Sequence, residues 1–185
     1  MAGRTFNRFL NSFLHTGTPD ETTFLRGDGA WTSALSGLVF ITPDSVTANS
    51  GGTPVGTVSD VQTLLDGNVY QMPEVTGTPP TGAIDIDFSF SGVASIEGFV
   101  SMIRYTGSAS HVVVQTLYNY TATNDDEFLL IPTTASTYQY RTVLIPDDTN
   151  YISSGNAMVS IIHQTTGNAS HNLYIDYIAL IGTTT

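Results

Sequence analysis

The sequence predicts an all-β protein, an antiparallel jelly-roll β-sandwich preceded by a short N-terminal helical arm. Short apolar or alternating segments recur from residue 38 to the end of the chain, and clusters of Gly, Pro, Asn and Asp separate them. A single helical pattern occurs, near the start of the chain. We therefore expect two parts, an attachment arm over residues 1–35 and a sandwich domain over residues 36–185.

The arm begins with apolar side chains at helical spacing. Phe6, Phe9, Leu10, Phe13 and Leu14 fall on one face of an α-helix of about three turns. So short a helix is marginal in water by itself, and an exposed apolar stripe needs cover. Three kinds of cover are open: the protein's own β domain, sister chains or a larger assembly, and a membrane surface. For binding a membrane, the polar face of the helix offers only two arginines. We predict docking onto other chains.

Residues 16–35 are predicted to form an irregular connector. Two glycines flank Asp28 and free the backbone for a tight turn, while the apolar anchors Phe24, Leu25 and Trp31 lie on either side of it. We expect these anchors to take part in docking together with the apolar face of the helix.

The octapeptide Phe-Leu-Arg-Gly-Asp-Gly-Ala-Trp at residues 24–31 closely resembles a segment that recurs in tail-fibre and other appendage proteins of tailed bacteriophages. In those proteins the segment commonly joins an attachment region to a distal domain, often in trimers. The resemblance implies a tail-fibre, head-fibre or capsid-decoration protein, a homotrimer made in the host cytoplasm and displayed on the virion surface. Its partners are then other capsid or tail proteins.

The β domain is predicted from nine segments of strand character. In the most regular one, 84–90, Ile84, Ile86, Phe88 and Phe90 alternate with polar residues and point inward. Strands this short and frequent, without a second helical pattern, are typical of an antiparallel sandwich. The predicted strands span 38–42, 69–72, 84–90, 98–105, 111–120, 128–131, 138–145, 158–163 and 172–181.

Two stretches of the domain repeat one another. Residues 106–111 read Thr-Gly-Ser-Ala-Ser-His and residues 166–171 read Thr-Gly-Asn-Ala-Ser-His, and each stretch lies between two predicted strands. The shared turn chemistry predicts two hairpins of similar geometry. Two copies are too few for a solenoid or a propeller.

From about residue 96 to residue 181 the chain resembles the galactose-binding-like jelly rolls of carbohydrate-binding proteins. The residues that carry the resemblance are Tyr118-Asn119-Tyr120, Tyr151-Ile152, His163, Gly167-Asn168, His171 and the closing strand 173–180. The resemblance implies the fold more than an activity, because jelly rolls carry unrelated functions.

Charge excludes several classes of partner. Five arginines and no lysine oppose 16 acidic residues, for a net charge of −11, and the charges of residues 1–35 cancel. The β domain therefore carries the whole net charge and repels nucleic-acid phosphates and anionic lipids. We predict no nucleic-acid partner and, because no apolar run is long enough to span a bilayer, no membrane insertion. Without cysteine, the chain has no disulfide and no thiolate metal ligand.

No catalytic motif is found. A glycosidase needs two facing carboxylates, and nothing in the sequence pairs Glu74, Glu97 or Glu127 with a second acid. Asp85 and Asp87 share a strand face that we expect to point to water. No nucleophile elbow, phosphate-binding loop or zinc-protease motif occurs either. We therefore predict a protein without enzymatic activity.

Histidines and acidic residues are candidate metal ligands. Zinc binds three imidazoles in some proteins, but His111 and His171 belong to separate predicted hairpins. We expect these two and His163 to stabilise turns, with the lining of a sugar or subunit surface as the alternative. Calcium prefers carboxylate and carbonyl oxygens, for which Asp60 and Asp176 are candidates. We predict no other metal and no cofactor.

Tyrosine rings are the candidates for glycan contact, because the faces of sugars stack on exposed rings. Tyr138 and Tyr140 share one face of a predicted strand, and Tyr151 follows in the next loop. The alternative is a half-buried aromatic pair that packs across strands.

We interpret the sequence as a non-enzymatic phage virion structural protein, anchored by its arm and displaying a jelly roll. Because the chain is too short for a long shaft, a capsid decoration (cement) protein or a short fibre is favoured. The alternative function is a carbohydrate-binding, receptor-recognition module of a tail fibre, with host glycans as ligands.

Overall fold

The computed structural model describes residues 38–77 and 82–185, together with the backbone of residues 23–25 and 31–33. The chain divides into two compact units, Met1–Leu38 and Val39–Thr185. The predicted boundary after residue 35 lies close to this division. The predicted helix over Phe6 to Leu14 lies outside the described residues, and the attachment role of the first unit stays a prediction.

The first unit contains a hairpin where the sequence predicts an irregular connector. Strand β1 (Thr23–Leu25) pairs antiparallel with β2 (Trp31–Ser33), with Leu25 opposite Trp31. The turn expected between the apolar anchors therefore has a strand on either side. Backbone pairing of these two short segments makes the connector regular at this point.

The second unit is a jelly-roll sandwich of two antiparallel sheets, which confirms the predicted fold. The first sheet has the order β10-β7-β12-β3. Its strands are β3 (Val39–Ile41), β5 (Tyr70–Pro73), β7 (Val93–Thr106), β10 (Gln139–Leu144) and β12 (Asn172–Thr184). Strand β5 pairs with residues 172–175 of β12, whereas β3 pairs with residues 180–182 of the same strand. The second sheet has the order β4-β6-β11-β8-β9. Its strands are β4 (Ser45–Ser50), β6 (Asp85–Phe90), β8 (Val113–Asn119), β9 (Asn124–Ile131) and β11 (Ala157–His163).

The core lies between the two sheets. Strand β6 shows why the sequence folds this way: Ile86, Phe88 and Phe90 are buried, and the residues between them are half-buried on the outer side. Across the core, the ring of Phe88 meets Tyr70 of the other sheet edge-on at 6.3 Å. All nine predicted strands are present, with boundaries shifted by a few residues.

Strand β4 is the one strand of the sandwich that the sequence did not predict. It reads Ser-Val-Thr-Ala-Asn-Ser, is mostly exposed, and pairs with β6 at the edge of the second sheet. A polar edge strand of this kind shows no alternation and resists pairing with other chains. Between β4 and β5 the chain forms one 3-10 turn, η1 (Val58–Val61). No helix among the described residues is long and apolar enough to cross a membrane.

The two repeated stretches form arches between the sheets, so the prediction of two hairpins is wrong. Strand β7 lies in the first sheet and β8 in the second, and likewise β12 in the first and β11 in the second. Each arch contains the same turn, closed by His111 N–H to the Ser108 carbonyl at 3.0 Å and by His171 N–H to the Asn168 carbonyl at 2.9 Å. Because β7 pairs with β12 and β8 with β11, the two arches lie side by side at one end of the sandwich.

Candidate functional site

The histidine cluster lies beneath the two arches and comprises Glu74, Tyr105, His111, His163 and His171. Glu74 follows β5, Tyr105 is near the end of β7, and His163 ends β11. His111 and His171 close the two arches. Three separate stretches of the sequence, around residues 74, 105–111 and 163–171, thus bring one carboxylate, one phenol and three imidazoles together.

Glu74 is the centre of the cluster, and its side chain is 0% exposed. Its Oε1 lies 3.0 Å from His163 Nε2 and 3.2 Å from His111 Nδ1, and it accepts the Asn168 N–H at 2.9 Å. Its Oε2 accepts the Tyr105 hydroxyl at 2.5 Å and lies 3.1 Å from His171 Nδ1. A buried carboxylate is costly unless it is paired, and here every partner converges on it.

His163 bonds the backbone of Thr165 on one side and faces Glu74 on the other. Its Nδ1 lies 2.8 Å from the Thr165 carbonyl oxygen and 3.3 Å from the Thr165 N–H, which donates to it. Burial lowers the pKa of His163, although the Glu74 carboxylate acts in the opposite direction. Burial also raises the pKa of Tyr105, with the Glu74 carboxylate acting in the same direction, so the phenol keeps its hydrogen and donates it.

The structure brings together histidines that the sequence placed in separate hairpins. The ring centroids of His111 and His171 are 4.7 Å apart, and those of His111 and His163 are 4.8 Å apart. The expectation that these imidazoles stabilise turns holds for His163, which bonds the backbone. The sequence did not mark Glu74 as their partner; its one signal is an acid placed directly after a strand with buried apolar residues.

A second candidate site, the tyrosine face, lies on the outer side of the first sheet. Strand pairing across β10, β7 and β12 places Tyr140, Met102 and Tyr177 in one row. In the neighbouring row it places Arg104 beside Tyr174. Tyr138 continues this row on the other side of Arg104. We define the tyrosine face by Tyr138, Tyr140, Tyr174, Tyr177, Met102 and Arg104.

Arg104 is held between two rings of the tyrosine face. Its Cζ lies 4.1 Å from the ring centroid of Tyr174 and 5.2 Å from that of Tyr138. Its Nε has no hydrogen-bond partner among the described residues. Stacking of the guanidinium therefore fixes both rings in place. Tyr140 is 53% exposed, whereas Tyr177 is buried against the small side chains of Val100 and Ala179.

Tyr151, the third tyrosine predicted for glycan contact, does not lie with the other two. Its ring meets Phe128 edge-on at 5.5 Å, and its hydroxyl donates to Asp126 Oδ2 at 3.0 Å. It packs against the core between the sheets. The structure therefore gives Tyr151 a packing role, because the loop before β11 folds back over β9.

The acidic residues on the outer face of the second sheet bond to neighbours. Asn49 Nδ2 donates to Asp87 Oδ2 at 2.7 Å and to Asp85 Oδ1 at 3.3 Å, and Ser160 donates to Asp87 Oδ1 at 2.7 Å. Both carboxylates lie on the outer face, as predicted, but they are half-buried. The Asn49 amide thus donates to both carboxylates, whereas the paired acids of a glycosidase flank the sugar bond that they cleave.

Each of the two calcium candidates accepts a backbone N–H. Asp60 Oδ2 accepts the Thr57 N–H at 2.6 Å in the capping box of η1, and buried Asp176 Oδ2 accepts the Leu65 N–H at 2.9 Å. These bonds hold the 57–66 segment in place. A calcium ion at either residue stays a prediction.

The residues predicted for docking are mostly outside the described part of the chain. Phe6, Phe9, Leu10, Phe13 and Leu14 lie outside it entirely. Phe24 and Leu25 are in β1 and Trp31 is in β2, where the structure describes the backbone. Their role in docking stays a prediction.

Comparisons with known proteins identify the fold. The chain is similar to a xylan-binding module, CBM15, with 12% sequence identity and a TM-score of 0.50, covering 80% of this chain and 97% of that one. It is also similar to a mutant of a carbohydrate-binding module of family 29, with 11% identity, a TM-score of 0.49, and coverage of 79% and 92%. The adhesin domain of Lys-gingipain is similar at 12% identity and a TM-score of 0.48, with coverage of 78% and 98%. No protein-family model and no curated protein matches the sequence.

This chain has a jelly-roll fold like that of CBM15. At such low identity the likeness to CBM15 shows the fold and nothing finer. The fold agrees with the galactose-binding-like resemblance seen in the sequence. Nothing in the comparisons points to a phage appendage protein, so the virion assignment stays a prediction from residues 24–31.

Proposed function

We propose that the protein is a non-catalytic carbohydrate-binding module and that the tyrosine face is its binding surface. The observation that carries the proposal is the paired row of tyrosines around Arg104, because flat rings held rigidly beside one another suit the flat faces of sugar rings. Tyrosine also offers a hydroxyl at its rim for hydrogen bonds.

The arrangement of the face favours an extended ligand. Tyr138 and Tyr140 are two residues apart, roughly 7 Å along the sheet, and Tyr174 and Tyr177 lie two strands away from them. A chain of sugar residues crossing the strands meets rings from β10 and β12 in turn. The face therefore suits an oligosaccharide better than a single sugar.

Charge narrows the class of glycan. The net charge of −11 repels polyanionic chains, and Arg104, the cation of this face, is already covered by two rings. We therefore expect neutral polysaccharides as ligands. The xylan-binding module CBM15 has the same fold, which supports the choice of xylan as one member of the test panel.

Calorimetric titration with xylan, mannan and β-glucan oligosaccharides tests the proposal, with a uronic-acid polymer as the anionic comparison. At least one neutral glycan should bind, and Tyr140→Ala and Tyr174→Ala should each weaken it by about tenfold or more. Tyr118→Ala is the matched control, because Tyr118 lies on the outer face of the other sheet, packed on Tyr120. If no neutral glycan binds, or if Tyr118→Ala is the variant that weakens binding, the proposal is wrong.

A further inference from the structure

The three inner ligand atoms of the histidine cluster form a small triangle. Glu74 Oε1, His111 Nδ1 and His163 Nε2 are separated by 3.0 Å, 3.2 Å and 2.9 Å. Zinc binds imidazole nitrogen and carboxylate oxygen at roughly 2.0–2.2 Å, so ligand atoms on a tetrahedron around it lie about 3.3 Å apart. The triangle therefore has nearly the size of one face of a zinc coordination tetrahedron.

A single metal ion satisfies all three corners of the triangle at once. Glu74 Oε1, His111 Nδ1 and His163 Nε2 are each an atom through which carboxylates and imidazoles ligate a metal. Both imidazoles also have a polar neighbour: His163 Nδ1 lies 2.8 Å from the Thr165 carbonyl oxygen, and His111 Nδ1 lies 2.9 Å from the Tyr105 oxygen.

The buried charge points in the same direction. Glu74 is fully buried, and its salt-bridge partners among the described residues are imidazoles alone. Arg104, the nearest described cation in sequence, is stacked between rings on the outer face. A buried carboxylate needs a positive partner, and a divalent cation held by the triangle is one.

The surroundings match those of a metal ligand set. A metal-bound histidine commonly has a backbone carbonyl beside its other ring nitrogen, and the Thr165 carbonyl oxygen lies 2.8 Å from His163 Nδ1. The carboxylate is oriented by donors on both oxygens, the Asn168 N–H on Oε1 and the Tyr105 hydroxyl on Oε2. His171 Nδ1 at 3.1 Å supports Oε2 from the arch at the cluster's rim, where 14% of its side chain is exposed.

We propose that Glu74, His111 and His163 bind a divalent transition-metal ion of the zinc class, with Tyr105 and His171 orienting the carboxylate. The three residues offer ligand atoms within reach of a single ion. Two imidazoles and one carboxylate suit zinc, whereas calcium and magnesium prefer oxygen ligands alone. The ion ties the first arch, β11 and the residue after β5 together, and water completes its coordination.

Zinc chloride titrated into the full chain after treatment with a chelator tests the site. One zinc should bind per chain and raise the thermal unfolding temperature with increasing zinc, and calcium and magnesium should not do so. His163→Gln should abolish this saturable binding, and Tyr105→Phe should weaken it by about 10- to 100-fold. His15→Gln, the same substitution at the histidine outside the cluster, should leave it unchanged.

X-ray absorption of the zinc-loaded wild-type protein tests the site even if the variants fail to fold. The proposal requires a four-coordinate zinc with nitrogen and oxygen ligands that include two imidazoles. It is overturned if wild type binds no zinc at one per chain, if His163→Gln binds it equally well, or if the absorption spectrum shows oxygen ligands only.

Discussion

Gly107 and Gly167 allow the two arches to close over the histidine cluster. A Cβ on Gly107 would collide with the ring of Tyr105, and a Cβ on Gly167 would collide with the Val75 carbonyl oxygen and with Ala83. Glycine is the residue that permits so close an approach of backbone to its neighbours. The repeated Thr-Gly step is therefore a packing requirement of the cluster beneath it.

Ser101 and Gln115 form a buried polar pair in the core, for which we predict a non-additive effect on stability. Ser101 Oγ donates to Gln115 Oε1 at 2.8 Å, and Gln115 Nε2 has no partner among the described residues. Ser101→Ala should lower the free energy of unfolding by about 1–3 kcal/mol, because it leaves the whole amide unsatisfied. The double variant Ser101→Ala/Gln115→Leu should be no less stable than Ser101→Ala alone, because apolar side chains then replace both members of the polar pair.

Chemical denaturation of Ser101→Ala, Gln115→Leu and the double variant measures the coupling between the two side chains. Ser95→Ala on the same strand is the control, because its partner Thr183 is half-buried and keeps access to water. We expect that change to stay within about 0.5 kcal/mol of wild type. A double variant whose loss equals the sum of the two single losses would contradict the prediction.

At the scale of elements, the strands were predictable and the way they are joined was not. Alternation in β6 reports burial directly, so its inward residues were identified correctly. The same local signal cannot tell a hairpin from an arch, because both need two strands and a turn. Sheet membership of β7, β8, β11 and β12 depends on long-range pairing, and the histidine cluster depends on that membership.

Asp126 fastens the β8–β9 hairpin to the loop before β11, and we predict that its contribution to stability is lost in acid. Hydrogen bonds from Asn119 and then Tyr151 lower its pKa from the ordinary value of 3.8. Because the pKa of Asp126 is lower in the folded state, the stability that its carboxylate contributes is present above pH 3.8 and is lost as the pH falls through the lowered pKa. The stability difference between wild type and Asp126→Asn should therefore shrink below that pH.

Asp85→Asn serves as the control of opposite sign. Burial raises the pKa of Asp85 above 3.8, with the Asp87 carboxylate acting in the same direction and the Asn49 amide opposing it. Its protonated form is favoured by folding, so wild type should lose stability relative to Asp85→Asn as the pH rises through the raised value. Denaturation curves between about pH 3 and pH 7 measure both trends. Trends of the same sign would contradict the assignment.

At the scale of the whole molecule, the sandwich presents two unlike outer faces. The first sheet carries the tyrosine face and exposed apolar side chains such as Phe40 and Leu144. The second sheet also has an exposed apolar residue, Leu130, but it carries Asp85, Asp87 and their polar neighbours. Composition predicted the acidic charge but not its segregation, because only sheet pairing decides which strands share a face. Tyr138 and Tyr140 were found from their spacing, whereas Tyr174 and Tyr177 joined them through the register of β7 with β12.

Removal of residues 1–37 separates the roles of the two units. The described core extends from Ile41 to Leu180, so the shortened chain should still unfold cooperatively. If the apolar residues of the first unit hold the expected homotrimer together, light scattering should show a fall from trimer to monomer mass on their removal. Leu144→Asp in the full chain is the control: it places a charge on the most exposed apolar side chain of the sandwich, 76% exposed, and should leave the mass unchanged. A shortened chain that keeps a trimer mass would place the assembly contacts in the sandwich, and the arm would lose its predicted role.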